Sequence, residues 1–461
     1  MAEGGFGCTD TETGSVPRHR GLYGRHPQNY VERVSVEVNT IMTRLGYGEE
    51  MRRWRVEKYR ETDRLINSLQ IGETMITAGS KAEGLTCYNE SDHDLLSVAN
   101  NVLCVEAGIN LHTIPGYIEV YRMDTRVYPG HCKLLLERKA SRFDKPIYNA
   151  LCDDGYGNGL LSSSLYLDEL SSLVACIDLT AVEQRAGPSL PATFAGTLCM
   201  DRVSALRCRC PSILQRWAAR PRHWPSPVIV QTVVSLGAIV TPVGFKGSEN
   251  KHMEWRINFN TGETELVNNL NETQAKVYVI LKMTLKDILK PKNKEITSYT
   301  LKNIVLWQAE HNPQTQFNAC SLLHWLHDGL RELRTAIAKK HMPYYMIPER
   351  NLMEACGISD KLQNKWVADI TDMLEEGPGV ILRLKKIRKA IVASPEPMLW
   401  YSKKRMELEM LFLEMRITWN SWTDVNAYLN IINKIIEVQQ RMLLEGSSVN
   451  DLIYICKAML M

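Results

Sequence analysis

The chain has 461 residues, 44% of them hydrophobic and 23% charged, and a formal net charge of only +3. This composition excludes a disordered chain and a polybasic binder, and the length accommodates about two or three domains around a large core. Any nucleic-acid surface must come from local clustering of charge.

The N-terminus is polar and glycine-rich, and no apolar run reaches the length of a membrane span, so an intracellular, cytoplasmic protein with no membrane contact is expected. Twelve cysteines run from Cys8 to Cys456 without the dense spacing of a disulfide scaffold, and they are expected to be reduced and mostly buried. Cys208-x-Cys210 has no second pair nearby. Cys320, His324 and His327 share one face of a predicted helix but need a fourth ligand from elsewhere, so no structural zinc is expected.

Residues 1–27 are rich in Gly, Ser, Thr and Arg without apolar period and read as a disordered arm. Val31, Val34, Val38, Ile41 and Leu45 recur at spacings of three and four, which predicts an amphipathic helix interrupted by Gly46 and Gly48. A second helix is predicted over Met51 to Leu69. It carries Arg52, Arg53, Arg55, Lys58, Arg60 and Arg64, either as a basic face for a phosphate backbone or as a solvated surface balanced by Glu50, Glu57, Glu61 and Asp63.

The stretch Met75 to Leu96 organises the rest. A short apolar run meets a Gly79-Ser80 turn, and Asp92 and Asp94 then precede Leu95-Leu96. On a strand, the period of two places both acids on one face. Two adjacent carboxylates repel each other unless a cation lies between them, and a hard oxygen pair suits Mg²⁺ or Mn²⁺. Glycine lets the backbone approach a phosphate, and a helix start offers it free N–H groups. The combination points to metal-assisted nucleotidyl transfer.

Between about 97 and 200, short β-type runs alternate with turns, including Tyr117–Tyr121 and Lys133–Glu137, and a helix is predicted over Ser163 to Ile177. Asp201 heads a further strand-like segment and is the candidate third carboxylate. Two β-like runs follow, Ile229 to Val240 and Glu254 to Phe259. From about 261 the pattern turns helical: Gln274–Leu289, Ser298–Glu310 and Ser321–Lys340. A cleft between the mixed and the helical halves is the natural nucleotide site. The tail beyond 376 reads as helices punctuated by Gly and Pro, with Leu408, Leu411, Phe412 and Met415 on one face, a cap or interaction tail without chemistry of its own.

In order, Gly79-Ser80, Asp92-x-Asp94, Asp201 with Val203-x-Ala205-Leu206, Trp224-Pro225, Trp255-Arg256-Ile257-x-Phe259 and Thr297-Ser298-Tyr299-x-x-Lys302 resemble the male-abnormal-twenty-one (Mab) nucleotidyltransferase family. More narrowly they resemble its cyclic GMP-AMP synthase-like receptors, over about 28–375, and Pro343 to Leu352 resembles the segment closing that family's helical lobe.

The resemblance implies an α+β, bilobed fold: a nucleotidyltransferase sheet of the polymerase-beta-like kind with an N-terminal spine helix, 28–260; a helical lobe, 261–375; and a helical extension, 376–461. It implies Asp92, Asp94 and Asp201 as a catalytic, metal-binding triad for a two-metal Mg²⁺ or Mn²⁺ site, and Gly79-Ser80 for the donor triphosphate. It further implies Arg256 for a nucleobase, Lys282 for phosphate, and Ser298-Tyr299 for nucleotide contact. ATP and GTP would be the substrates and a cyclic dinucleotide the product. Absence of a His/Cys projection between Arg256 and Lys282 favours double-stranded RNA over DNA as activator, with homo-oligomerisation on ligand as a further expectation. Two other readings stay open: a nucleotidyltransferase-fold scaffold that binds without turnover, and a template-free terminal nucleotidyltransferase.

Overall fold

The computed structural model describes residues 26–445 apart from 70–71, 89, 141–144, 154, 156, 176–179, 183–186, 195–197, 293–294 and 422–424. The expected arm at 1–27 thus lies almost wholly outside the described residues, as does the end of the helix expected to reach Ile177.

Helix α1 (Gln28–Met42) buries Val31, Ser35, Val38 and Met42. It passes into a wider turn, Thr43–Tyr47, where Gly46 has φ 85. A side chain there would lie 2.9 Å from the Arg405 guanidinium as well as being strained by that φ, so the glycine is required. Helix α2 (Glu49–Leu69) follows.

Its arginines divide. Arg55 is fully buried, and Arg52 is buried with its guanidinium donating to the Leu270 carbonyl at 2.7 Å and the Val267 carbonyl at 3.3 Å. Those two therefore cannot belong to a basic face. Three of the more exposed members are ion-paired, Arg53 with Glu49 at 2.7 Å, Lys58 with Glu61 at 3.1 Å and Arg60 with Glu265 at 3.1 Å, while Arg64 is exposed.

The described strands are β1 (Glu73–Thr77), β2 (His93–Val105), β3 (Glu119–Asp124), β4 (His131–Arg138), β5 (Leu151–Asp153), β6 (Gly159–Leu161), β7 (Thr180–Val182), β8 (Ser189–Phe194), β9 (Leu198–Arg209), β10 (Ala238–Thr241) and β11 (Glu254–Asn258). They form one mixed sheet in the order β1-β2-β3-β4-β11-β10-β9-β8-β7. A further pairing of β2 with β9 closes the run from β2 to β9 on itself. That ladder is parallel and sets Asp94 opposite Asp201. Both predicted acid-bearing strands thus exist, Asp201 in the interior of its strand and Asp92 immediately before β2.

The stretch Ile229 to Val240, read as β-like, is corrected by the structure. Pro227–Leu236 is a helix, and only Ala238–Thr241 is strand. Pro227 occupies the first helical turn and Gly237, at φ 69, ends it, so the chain can then reverse into β10.

Helices Asn260–Asn268, Glu272–Thr284, Ser298–His311, Leu322–Lys339 and Asp360–Glu376 follow the sheet. Asn271 and Gln274 form a reciprocal capping box at the start of the second. One hydrophobic core runs from Val31 and Val38 through Trp255 and Phe259 to Ile280, Leu301 and Trp366. Beyond it, Glu396–Ser421 packs on Val425–Leu444 around Leu408, Ile435, Val438 and Met442. The extension also docks on α2, where Arg55 meets Glu409 in a two-pronged ion pair at 2.7 and 2.8 Å. No helix among the described residues is long and apolar enough to cross a membrane.

Candidate active site

The site begins where β1 hands over to a short helix, α3 (Gly79–Ala82). The Ala78 N–H donates to the Asp94 carbonyl at 2.8 Å, tying that start to β2. Gly79 has φ 62, and a Cβ there would fall 2.2 Å from Asp94 Oδ2. Only glycine lets the backbone lie this close to the carboxylate.

Asp94 is half-buried and its carboxyl is pushed up to about 6, first by burial and then by the charges of Asp201, Asp92 and Glu83. Asp201 and Asp92 therefore lie near enough to Asp94 to disfavour its charge, and a cation is the natural relief. This donor set, three hard carboxylates, fits Mg²⁺ or Mn²⁺. Among the described residues, no three His, Cys, Asp or Glu side chains are already drawn to metal-ligand spacing.

A cavity of about 1420 Å³ opens here, lined by Ser80, Asp92, Asp94, Lys282 and Ser298 among others. Lys282 Nζ donates to Ser80 Oγ at 2.7 Å, so a helix 202 positions away meets the Gly-Ser turn. Burial pushes that ammonium down to about 8. Lys81, fully buried, donates to the Cys87 carbonyl at 2.8 Å and to the Tyr88 carbonyl, which shapes the loop leading to Asp92.

Arg256 and Tyr299 join a second group, centred on buried Glu263. Glu263 accepts from Tyr299 Oη at 2.7 Å and from Tyr344 Oη at 2.6 Å. Lys302 lies 3.5 Å from Glu263 and 2.5 Å from Glu83, which links this group to the acids. Burial, then Arg350, pushes the Arg256 guanidinium down to about 10, and its buried Nε has no hydrogen-bond partner. An orphaned donor of this kind is a group waiting for an acceptor.

The sequence reading missed Glu83 and Glu263 and gave Lys302 no role. Glu83 lies inside the stretch already singled out, but burial, not spacing, gives it meaning. Also missed were Lys385, Lys389 and Tyr401 of the C-terminal extension, which line the same cavity. The Cys320, His324 and His327 set is scattered in its contacts: the His327 ring bonds the Leu374 carbonyl at 3.2 Å, and His324 lies edge-on to Trp325.

Residues 273–371 match the family model of the Mab-21 protein HhH/H2TH-like domain. The chain is 27% identical over 144 residues to a cyclic GMP-AMP synthase-like receptor of Aethina tumida, covering 31% of this chain and 35% of that protein. It is 29% identical over 125 residues to a cyclic GMP-AMP synthase-like receptor of Ctenocephalides felis, covering 26% and 27%. The chain thus spans about a quarter to a third of the length of the curated relatives it matches.

Proposed function

We infer that this chain, which belongs with the Mab-21 proteins and cyclic GMP-AMP synthase-like receptors, is a metal-dependent nucleotidyltransferase. It joins ATP and GTP into a cyclic dinucleotide second messenger in the cytoplasm on sensing a ligand, double-stranded RNA ahead of DNA, in innate immune signalling. The observation that carries the reading is Asp94. Its carboxylate lies opposite Asp201 in the β2–β9 ladder, against a side-chain-free Gly79, at the wall of a cavity shared with Ser80 and Lys282.

Asp92, Asp94 and Asp201 would hold Mg²⁺ or Mn²⁺, which when bound neutralises charge on the reacting phosphate and acidifies the attacking hydroxyl. Gly79 lets the turn lie against the Asp94 carboxylate, and Ser80 with Lys282 supplies a hydroxyl and an ammonium to the oxygens of the donor phosphate. Arg256 offers its free Nε–H to a nucleobase, with Ser298 and Tyr299 as the neighbouring nucleotide contacts. The proposed organisation is bilobed, with boundaries at 28–260, 261–375 and 376–461, and activation shifts a population of the Gly-Ser loop toward its competent form. A ligand that drives this shift must favour one of the two states.

Incubating the protein with labelled ATP and GTP, Mg²⁺ or Mn²⁺, and double-stranded RNA, double-stranded DNA or neither tests the reading. A phosphatase-resistant dinucleotide formed with RNA is the expected product; a lengthened polymer would replace the reading with terminal transfer. A second reading, nucleotide binding without turnover, would be indicated by bound nucleotide with no product under any of these conditions.

A further inference from the structure

Asp92 stands just outside the sheet. The β2–β9 ladder begins with His93 opposite Met200, so Asp94 is fixed by its strand, whereas the place of Asp92 depends on what grips the chain on either side of it. His93 lies between the two acids. Successive strand residues face opposite sides, so its ring points away from the face that carries Asp94.

That buried ring is met by the C-terminal extension. Arg416 Nη1 lies 2.7 Å from His93 Nδ1 and 3.0 Å from Nε2, and the Tyr59 and Tyr88 ring centres each lie 6.0 Å from the imidazole. A guanidinium carries donors only, so a ring nitrogen accepts from it. The same guanidinium lies 5.7 Å from the Tyr59 ring centre, a cation–π contact that helps to keep it in place.

Arg416 belongs to a stripe. Arg405, Glu409, Phe412 and Arg416 recur at intervals of four, three and four along helix Glu396–Ser421, which puts them on one face. Glu409 accepts the Tyr88 N–H at 2.9 Å, Phe412 stacks on the Tyr88 ring at 6.1 Å, and Arg405 donates to Cys87 Sγ. One helix face thus grips the chain before Asp92, at Cys87 and Tyr88, and after it, at His93. Two carboxylates bind one cation well when groups behind them have already fixed their orientation.

We propose that helix Glu396–Ser421 is the positioning element of the acid pair, with Arg416 as the positioning residue that sets Asp92 relative to Asp94 by way of His93. The proposal rests on the reading of Asp92 and Asp94 as metal ligands. It gives the extension, expected from sequence to be a cap or interaction tail, a part in the site.

The test is Mn²⁺ binding to the full chain without nucleotide, read from the loss of the free-ion electron paramagnetic resonance signal. Wild type is compared with Arg416→Ala, Arg416→Lys, His93→Phe and Arg416→Ala/His93→Phe, and Asp92→Asn/Asp94→Asn marks ions bound elsewhere. Arg441→Ala, which breaks an exposed ion pair with Glu407 between the two extension helices, controls for general loosening. Arg416→Ala should bind Mn²⁺ about ten-fold more weakly. Arg416→Lys, which keeps a cation and a donor, should recover most of that loss, and Arg441→Ala should match wild type. The Arg416→Ala/His93→Phe variant should bind no more weakly than the weaker single variant, because both changes break one path. Unchanged affinity in Arg416→Ala, an equal loss in Arg441→Ala, or losses that add in the double variant would overturn the proposal. Should Arg416→Ala fail to fold, Phe412→Leu tests the same stripe: weaker Mn²⁺ binding is expected, and unchanged binding overturns it. The two readings fail separately. Wild type that binds Mn²⁺ no better than Asp92→Asn/Asp94→Asn sinks the metal reading and the proposal together, whereas binding at the acids that Arg416→Ala leaves unchanged sinks the proposal alone.

Discussion

Gly79 is the residue on which the site's geometry turns. A methyl group there meets both a φ of 62 and the Asp94 carboxylate 2.2 Å away. Gly79→Ala is therefore expected to cost about 1–3 kcal/mol in stability and to displace Asp94, so that turnover falls further than the stability change accounts for. Thermal melts and turnover on the same preparation check this; a variant as active as wild type would show that the carboxylate has no fixed place against the turn.

His131 gives a pH prediction. Burial, then Arg350 and Arg256, pushes its imidazole down to about 3. An unfolded-chain histidine titrates near 6.5. Between about 6.5 and 3 the unfolded chain binds the extra proton, so stability is whole above 6.5 and is lost as pH falls. At about pH 5.5 this one group should remove about 1 kcal/mol. His93, pushed down to about 2 by burial and Arg416, acts in the same direction. Urea midpoints between about pH 7 and 5.5 should fall in wild type and fall less in His131→Gln; parallel slopes would contradict the assignment.

At the scale of elements, legibility followed locality. Asp94 on a strand and the Gly79-Ser80 turn were readable because they depend on a few neighbouring residues, whereas Asp92, expected on the same strand, lies just before its start at His93. The helices expected over Gln274–Leu289 and Ser298–Glu310 were readable from apolar spacing; they run over Glu272–Thr284, continued by a wider turn at Leu285–Leu289, and over Ser298–His311. The segment Ile229–Leu236 was misread because Ile229, Val230, Val233 and Val234 favour strands, a weak preference that packing overrides. Ser226, Pro227 and Gly237 were the local signals that point to a helix. Arg55 was unreadable in principle: its partner Glu409 lies 354 positions away.

That pair makes the extension part of the core. Arg55 is fully buried and Glu409 nearly so, and Glu409 also accepts the Tyr88 N–H at 2.9 Å, in the loop before Asp92. Arg405 donates to the Leu45 carbonyl, and Phe412 stacks on Tyr88 at 6.1 Å. Glu409→Ala leaves a buried guanidinium without its counter-charge and should cost about 3–5 kcal/mol, while Arg55→Met/Glu409→Leu should recover much of the loss. Denaturant midpoints of the three variants decide it; a single variant within about 0.5 kcal/mol of wild type would mean that the extension is not docked on α2.

At the scale of the whole molecule, residues from three distant parts of the chain line one cavity: Ser80, Asp92 and Asp94 from the sheet region, Lys282 and Ser298 from the following helices, and Lys385 and Lys389 from the extension. The division into sheet and helical segments was legible from the change in apolar period near residue 261. The extension's place at the site was not, because its contacts are charged pairs formed across the chain. Of the proposed contacts, Ser80 and Lys282 meet directly, whereas Arg256 and Tyr299 gather around Glu263 and reach the acids through Lys302 and Glu83.

The central claim is that the three carboxylates serve metal-dependent nucleotidyl transfer. Its most direct test is pyrophosphate release from ATP and GTP by the ligand-activated protein, with Mg²⁺ or Mn²⁺ present or chelated, in wild type and in Asp92→Asn/Asp94→Asn. Removing two mutually repelling charges should leave the fold intact, so a melting temperature at or above that of wild type is expected alongside complete loss of release. Release that persists in the folded double variant, or that ignores the chelator, would contradict the claim.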